Sequence, residues 1–173
     1  GRDHAGGLSD FPPARVHVSQ PEWDAGQKPT RRERLRYRRS QFSHHPTVLT
    51  YSADGEPWRG LPAARPLDGL GTEFALVPVV GHSRGHSAIA VDAGENGRLL
   101  HAGDAYFHRS ALGKASKLSR HGAFFTGFEY LMAAHPGHMR DGHRKLAALP
   151  SDITVFSAHD QDEFSRLTSR NND

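Results

Sequence analysis

Apolar residues in this chain fall into short runs set between stretches rich in glycine and proline. Residues 14–19 (ARVHVS) alternate, with Val16 and Val18 on one face, which is the period of a half-buried strand. The segments 48–51, 74–80, 87–92, 97–101 and 153–157 are also predicted strands. Several are unbroken apolar runs, the pattern of a sheet covered on both faces. Residues 126–134 and 139–149 have helical composition, and the second (MRDGHRKLAAL) stops before Pro150, which suits a helix feeding the strand ITVFS. Pro21 to Ala25, behind Ser19 or Gln20, predicts a short helical turn opened by proline and ended by Gly26. Thr30 and Glu33 fit a capping box at the start of an exposed helix over 30–42 (TRRERLRYRRSQF). No internal repeat or linker divides the chain, so a single α/β domain over residues 1–173 is expected.

Composition changes this picture in three ways. A chain of 173 residues is long enough to bury roughly 70% of its unfolded surface in one core. Its 36% apolar share, 18 Gly and 11 Pro describe a folded but loop-rich body. No run approaches the roughly 18–20 apolar residues that span a bilayer, and the start, Gly1-Arg2-Asp3-His4, has no signal-peptide features. Without cysteine there is no disulfide, and the expectation is a cytoplasmic protein with no membrane partner. The six Arg within 31–39 either grip phosphates or form a solvated face. The net charge of only +3 favours the solvated face, because the positive charge is local.

The 13 His are the compositional anomaly, since neutral imidazole is a common transition-metal ligand. His17, His44, His45, His101, His108, His121, His135, His138 and His143 sit in surface or packing contexts. Others do not. Four motifs place a ligand-type side chain at a strand end or in a glycine-rich turn: Asp3-His4-Ala5-Gly6-Gly7, Gly81-His82-Ser83-Arg84-Gly85-His86, Ala102-Gly103-Asp104 and Ser157-Ala158-His159-Asp160. In open α/β sheets ligands gather at strand ends, and glycine lets backbone pass close to a bound group.

The order D-H, G-H-x-x-G-H, G-D, A-H resembles the metallo-β-lactamase superfamily, with the match running from Asp3 to about His159. In that family a first loop carries H-x-H-x-D-H, and a G-H-[ST]-x-G-H loop, a G-D turn and a last His complete a two-metal site. The resemblance implies the C-terminal portion of an αββα sandwich. It implies Asp3 and His4 as the closing D-H of the first motif, His82 as the ligand of the second with His86 supporting it, Asp104 as the carboxylate bridging both metals, and His159 as the last ligand. The expected cofactor is zinc, two ions per intact domain, with manganese or iron also compatible with mixed His/Asp donors. Asp3 serves the second metal in catalysis. Tyr106, two residues past Asp104, either donates its hydroxyl to the substrate oxyanion or packs beside the metal loop.

The implied activity is attack of a metal-activated hydroxide on an ester-like carbonyl, a lactone or thioester, in a small-molecule substrate. Residues 105–130 would face it, with Phe107, Phe124 and Phe125 as an apolar wall or as anchors of a long loop. The alternatives are phosphodiester cleavage, with the arginines on a nucleic-acid backbone, and a non-enzymatic binding module. Gly1 falls where the family motif carries its second His, so the first-motif His pair and the strands before it are expected to be missing from the chain. At most one tightly held metal ion per chain is therefore expected. Elemental analysis after dialysis checks this: two tightly bound equivalents refute it, and none at all points to a chain that does not fold.

Overall fold

The structure is a computed structural model that describes residues 5–44, 46–113 and 120–169. Its elements are β1 (Arg15–Ser19), α1 (Gln20–Gln27), β2 (Thr47–Tyr51), β3 (Glu56–Trp58), β4 (Leu61–Pro66), β5 (Phe74–Pro78), β6 (Ser87–Asp92), β7 (Arg98–His101), α2 (Arg120–Met132), α3 (Pro136–Ala147), β8 (Ile153–Phe156) and α4 (Gln161–Ser169). Strands β3 to β8 form a six-stranded sheet in sequence order, and β1 pairs with β2 in a separate parallel pair. Every neighbour pair in the large sheet is antiparallel except the last, β7 with β8. A parallel pair needs a long crossover, and α2 and α3 supply it.

Alternation along the strands sorts their side chains onto two faces. The row Ala75–Ala90–Leu100–Val155 runs across β5, β6, β7 and β8. It belongs to the main core with Val77, Ala88, Tyr106, Leu112 and, from α3, Leu146. On the opposite face Leu76 joins Tyr51, Leu67, Leu49 and Ile89. Both faces of the sheet centre are thus packed, as its apolar runs predict. Among the described residues no helix is long and apolar enough to cross a membrane.

Three elements depart from the sequence reading. The helix expected over 30–42 is two short 3-10 turns, Glu33–Leu35 and Arg39–Gln41. The capping box does form, with Thr30 N–H donating to Glu33 Oε2 at 2.8 Å and Glu33 N–H to Thr30 Oγ1 at 3.4 Å. No apolar stripe follows it, however, and Leu35 is 76% exposed. A helix with no face to bury does not propagate far in water. The β3–β4 hairpin was not anticipated. Its two-residue loop, Arg59-Gly60, has both φ angles positive (49° and 88°), the geometry that fits a tight hairpin. Helix α4 is also additional, and Asp160 Oδ1 accepts from Asp162 N–H and Glu163 N–H at its start, both at 3.1 Å. Smaller shifts occur elsewhere: α1 continues through Gly26, and β5 stops at Pro78, short of the expected residue 80.

Two expected outcomes follow from this packing. Leu146→Ala, at a site with 0% exposure, costs about 2–5 kcal/mol of unfolding free energy, whereas Leu35→Ala stays within about 0.5 kcal/mol; denaturant titration measures both. Burial works to raise the Glu33 carboxyl, but hydrogen bonds from Thr30 and Arg84 hold it below its usual value of 4.5. A carboxyl lowered by folding stabilises above its unfolded pKa and loses that contribution as the pH falls through the folded one. Glu33→Gln is therefore expected to lower the melting temperature at pH 7, with the gap to the parent chain closing below about pH 4.5. A gap that stays constant from pH 7 to pH 3 would contradict this.

Candidate metal centre

The parallel pairing of β7 and β8 places two of the expected donors. His101 and Phe156 are register partners at the ends of these strands, and Asp104 and His159 each follow three residues later. Equivalent positions past the carboxyl ends of adjacent parallel strands emerge side by side. His159 Nε2 accordingly lies 3.0 Å from Asp104 Oδ1. The third donor arrives from the antiparallel neighbour: the loop feeding β6 ends at the same edge, and His82 Nε2 lies 3.2 Å from Asp104 Oδ2. Each oxygen of one carboxylate thus faces a different imidazole.

His86 does a different job. Its Nδ1 lies 2.9 Å from the Val79 carbonyl oxygen, and its Nε2 lies 3.0 Å from Asp104 N. A carbonyl only accepts and a backbone N–H only donates, so this ring carries its proton on Nδ1 and accepts on Nε2. Both ring nitrogens are used, which leaves none for a metal. Burial lowers the pKa of His86, in keeping with a neutral ring. In His82, burial and then the positive charge of Arg36 hold the imidazole down to about 3, against the pull of Asp104. A neutral imidazole is the form that ligates metal.

The 81–86 loop is braced by residues far away in sequence. Glu22 of α1 accepts from Ser83 Oγ at 2.6 Å, from Gly85 N–H at 3.1 Å and from the Tyr37 hydroxyl at 2.6 Å. Ser19 Oγ donates to the Gly85 carbonyl at 2.6 Å. Arg84 reaches Glu33 Oε1 at 2.7 Å and Oε2 at 3.0 Å. Arg36 donates to the His82 carbonyl at 2.8 Å and to that of Met132 at 2.7 Å. Close packing accounts for two glycines here: a Cβ at Gly81, whose φ is 145°, would strike the backbone of Met139, and one at Gly85 would strike that of Glu22.

On the other side, the segment after Asp104 is tied to the segment around His159. Arg109 N–H donates to Asp160 Oδ2 at 2.8 Å, and its guanidinium pairs with Asp160 Oδ1 at 3.2 Å and with Asp162. Tyr106, with 0% exposure, gives its hydroxyl to Glu163 Oε2 at 2.9 Å, and Glu163 Oε2 also accepts from Ser157 N–H at 2.9 Å. Burial and then the Glu163 charge push the Tyr106 hydroxyl above its ordinary pKa, and burial raises that of Glu163. Of the two roles open to Tyr106 on sequence grounds, this geometry matches packing beside the loop. Phe107 lies against both imidazoles, its ring centroid 5.8 Å from that of His82 and 4.9 Å from that of His159. Phe128 sits 6.2 Å beyond it, and Phe125 and Phe128 are 42% and 44% exposed. The Phe124 side chain lies outside the described residues.

The donors present fit a metal, as part of a set. Two atoms each about 2.1 Å from a tetrahedral zinc ion stand about 3.4 Å apart, close to the 3.2 Å and 3.0 Å separations seen around Asp104. Among the described residues the Nδ1 of His82 is buried without a hydrogen-bond partner, a costly arrangement that tends to mark functional sites. Among the described residues no group of three or more His, Cys, Asp or Glu is gathered closely enough to hold an ion. Asp3 and His4, the other expected ligands, lie outside the described residues. The bracing residues Glu22, Arg36 and Glu163 carried no local motif that would have singled them out.

Comparison with known proteins bears on the family and the fold. No protein-family model matches the chain. It is 42% identical over 170 residues to proteins of Mycobacterium bovis and Mycobacterium tuberculosis, each named a probable metallo-hydrolase, an alignment that covers 92% of this chain and 52% of each relative. The chain therefore spans about half the length of these curated relatives. A hydroxyacylglutathione hydrolase of Cupriavidus taiwanensis is 35% identical over 95 residues, 55% of this chain and 28% of that protein. Among solved structures, an N-acyl homoserine lactone hydrolase with its product at the catalytic metal centre aligns with a TM-score of 0.64 at 16% identity, covering 94% of this chain and 53% of the other. A hydrolase of the beta-lactamase superfamily aligns with a TM-score of 0.56 at 14% identity, covering 89% and 50%. The shared fold and the mycobacterial relatives lead to one assignment: the chain has the metallo-β-lactamase fold and is related to proteins named metallo-hydrolases.

Proposed function

We propose that this chain carries the greater part of the metal site of a metal-dependent hydrolase that opens a lactone or thioester carbonyl in a small molecule. The observation that supports this most directly is the Asp104 carboxylate, one oxygen on His82 Nε2 and the other on His159 Nε2. In this reading His82, Asp104 and His159, with Asp3 and His4, hold zinc. Zinc held there would supply a Lewis acid that brings the pKa of water down towards about 7. The chain's own residues shape what surrounds it. His86 fixes Asp104 through its backbone N–H; burial, with the Arg36 charge second, keeps His82 neutral, and Arg36 also holds the His82 carbonyl. Phe107, Phe125 and Phe128 present an apolar surface beside the histidines, suited to an acyl chain. The names of the Cupriavidus relative and of the lactone hydrolase supply the two substrate classes. Of the six arginines in the basic run, Arg36 is committed to two carbonyl oxygens, which takes one cation from a phosphodiester reading.

The test is hydrolysis of N-acyl homoserine lactones, acylglutathione thioesters and penicillins by the intact protein and by its Asp104→Ala variant. Turnover is expected on one of the first two classes, abolished by a chelator and restored by zinc. Asp104→Ala is expected to lower zinc affinity beyond the roughly 10- to 100-fold typical of losing an outer partner. Absence of metal-dependent turnover on every class rules out the carbonyl-hydrolase reading.

A further inference from the structure

The buried Glu129–His143 contact between the two crossover helices serves no role in the site described so far. Glu129 of α2 has 0% exposure and His143 of α3 has 5%. His143 Nε2 lies 2.8 Å from Glu129 Oε1 and also 2.8 Å from the Ala105 carbonyl oxygen. Since a carbonyl only accepts, that nitrogen carries a proton. Glu129 Oε2 accepts from Phe107 N–H at 3.3 Å. Among the described residues Glu129 Oε1 has no hydrogen bond of good geometry, and the His143 ring lies 2.8 Å from it. A fully buried carboxylate is costly unless paired, and core packing between two helices does not require one.

Its contacts show what it does. Both are made to the backbone immediately after Asp104: His143 takes the carbonyl of Ala105, and Glu129 takes the N–H of Phe107. Together they grip the turn from either end. That turn carries Asp104 at its start and Phe107 at its end, and the Phe107 ring touches both the His82 and His159 rings. The bond directions of this small turn therefore set where the carboxylate lies and how the two imidazoles are oriented.

We infer that Glu129 and His143 are a positioning pair that fixes the Ala105–Phe107 turn, and through it the placement of the Asp104 carboxylate between His82 and His159. The inference rests on these three residues being metal donors. Groups that orient metal ligands from behind typically contribute 10- to 100-fold in metal affinity, and a pair acting through two backbone bonds belongs in that class.

The experiment is cobalt(II) binding to the full chain, followed by competition with a chelator and by the visible absorption of the bound ion, which reports ligand geometry directly. Glu129→Ala is expected to weaken cobalt binding about 10- to 100-fold and to alter the absorption bands. Glu129→Gln keeps both the volume and the acceptor for Phe107 N–H, so it remains measurable where Glu129→Ala does not fold. Its expected loss is smaller, about 3- to 10-fold, in the same direction. Leu146→Ala, which removes apolar volume from the same helix layer and leaves both polar contacts to the turn in place, is expected to leave the bands unchanged. If the parent chain binds no cobalt, the metal-site reading itself fails. If it binds cobalt and every folded Glu129 variant stays within twofold with unchanged bands, or Leu146→Ala shifts the bands equally, the positioning role alone is overturned.

Discussion

One carboxylate between two imidazoles is the arrangement on which the rest of this molecule depends, and it exists because β7 and β8 run parallel in register. The pairing of His101 with Phe156 brings two loops out at the same edge with equal lead, so that Asp104 and His159 meet although 55 residues separate them in sequence. An antiparallel β8 would have sent His159 to the opposite end of the sheet. The helical crossover is therefore a condition of the site, since parallel neighbours cannot be joined by a tight turn. The antiparallel β6 then delivers His82 to the same edge, because its loop precedes the strand where the others follow theirs.

Buried and half-buried polar groups surround this point, and nearly all of them act on backbone. Glu22 and Ser19 hold Gly85, Arg36 holds the carbonyl of His82, His86 holds the N–H of Asp104, and Glu163 holds the N–H of Ser157. Such bonds constrain loops that have no regular ladder of their own. The paired charges also answer an energetic need, as a buried carboxylate or guanidinium without a partner would cost several kcal/mol. Arg109 with Asp160, and Glu33 with Arg84, meet that need while joining separate segments. The basic run gains a structural meaning in this light. Arg36 is drawn onto the His82 loop, and the run gives up helical regularity to reach it.

The strands were legible wherever apolar residues alternate or run unbroken. Ser87–Asp92 coincides with its expected span, and 153–157 overshoots by one residue. Helix α3 was found by composition and by the proline behind it, yet it starts earlier, at Pro136, a residue suited to a helix's first turn. The hairpin β3–β4 was hidden because Pro57 and Pro62 break any strand pattern, and only the positive φ angles at Arg59 and Gly60 disclose the turn. At the site, the order of motifs singled out His82, Asp104 and His159. The separation of His82 from His86 came with the family resemblance, and the hydrogen bonds of the two rings now give it a physical reason.

Taken alone, the sequence determined which residue types can do metal chemistry here and in what order, because ligand identity and turn-forming glycine are local properties of the chain. It also determined most of the sheet, since burial on one or both faces leaves a periodic trace. Tertiary structure decided everything that depends on distance between remote segments: that each Asp104 oxygen has its own imidazole, that Tyr106 spends its hydroxyl on Glu163, and that Glu129 and His143 close around the turn between Ala105 and Phe107. His143 looked like an ordinary packing histidine by its neighbours in sequence. A pairing across two helices leaves no periodicity and no motif, and only the packing of α2 against α3 brings the two side chains together.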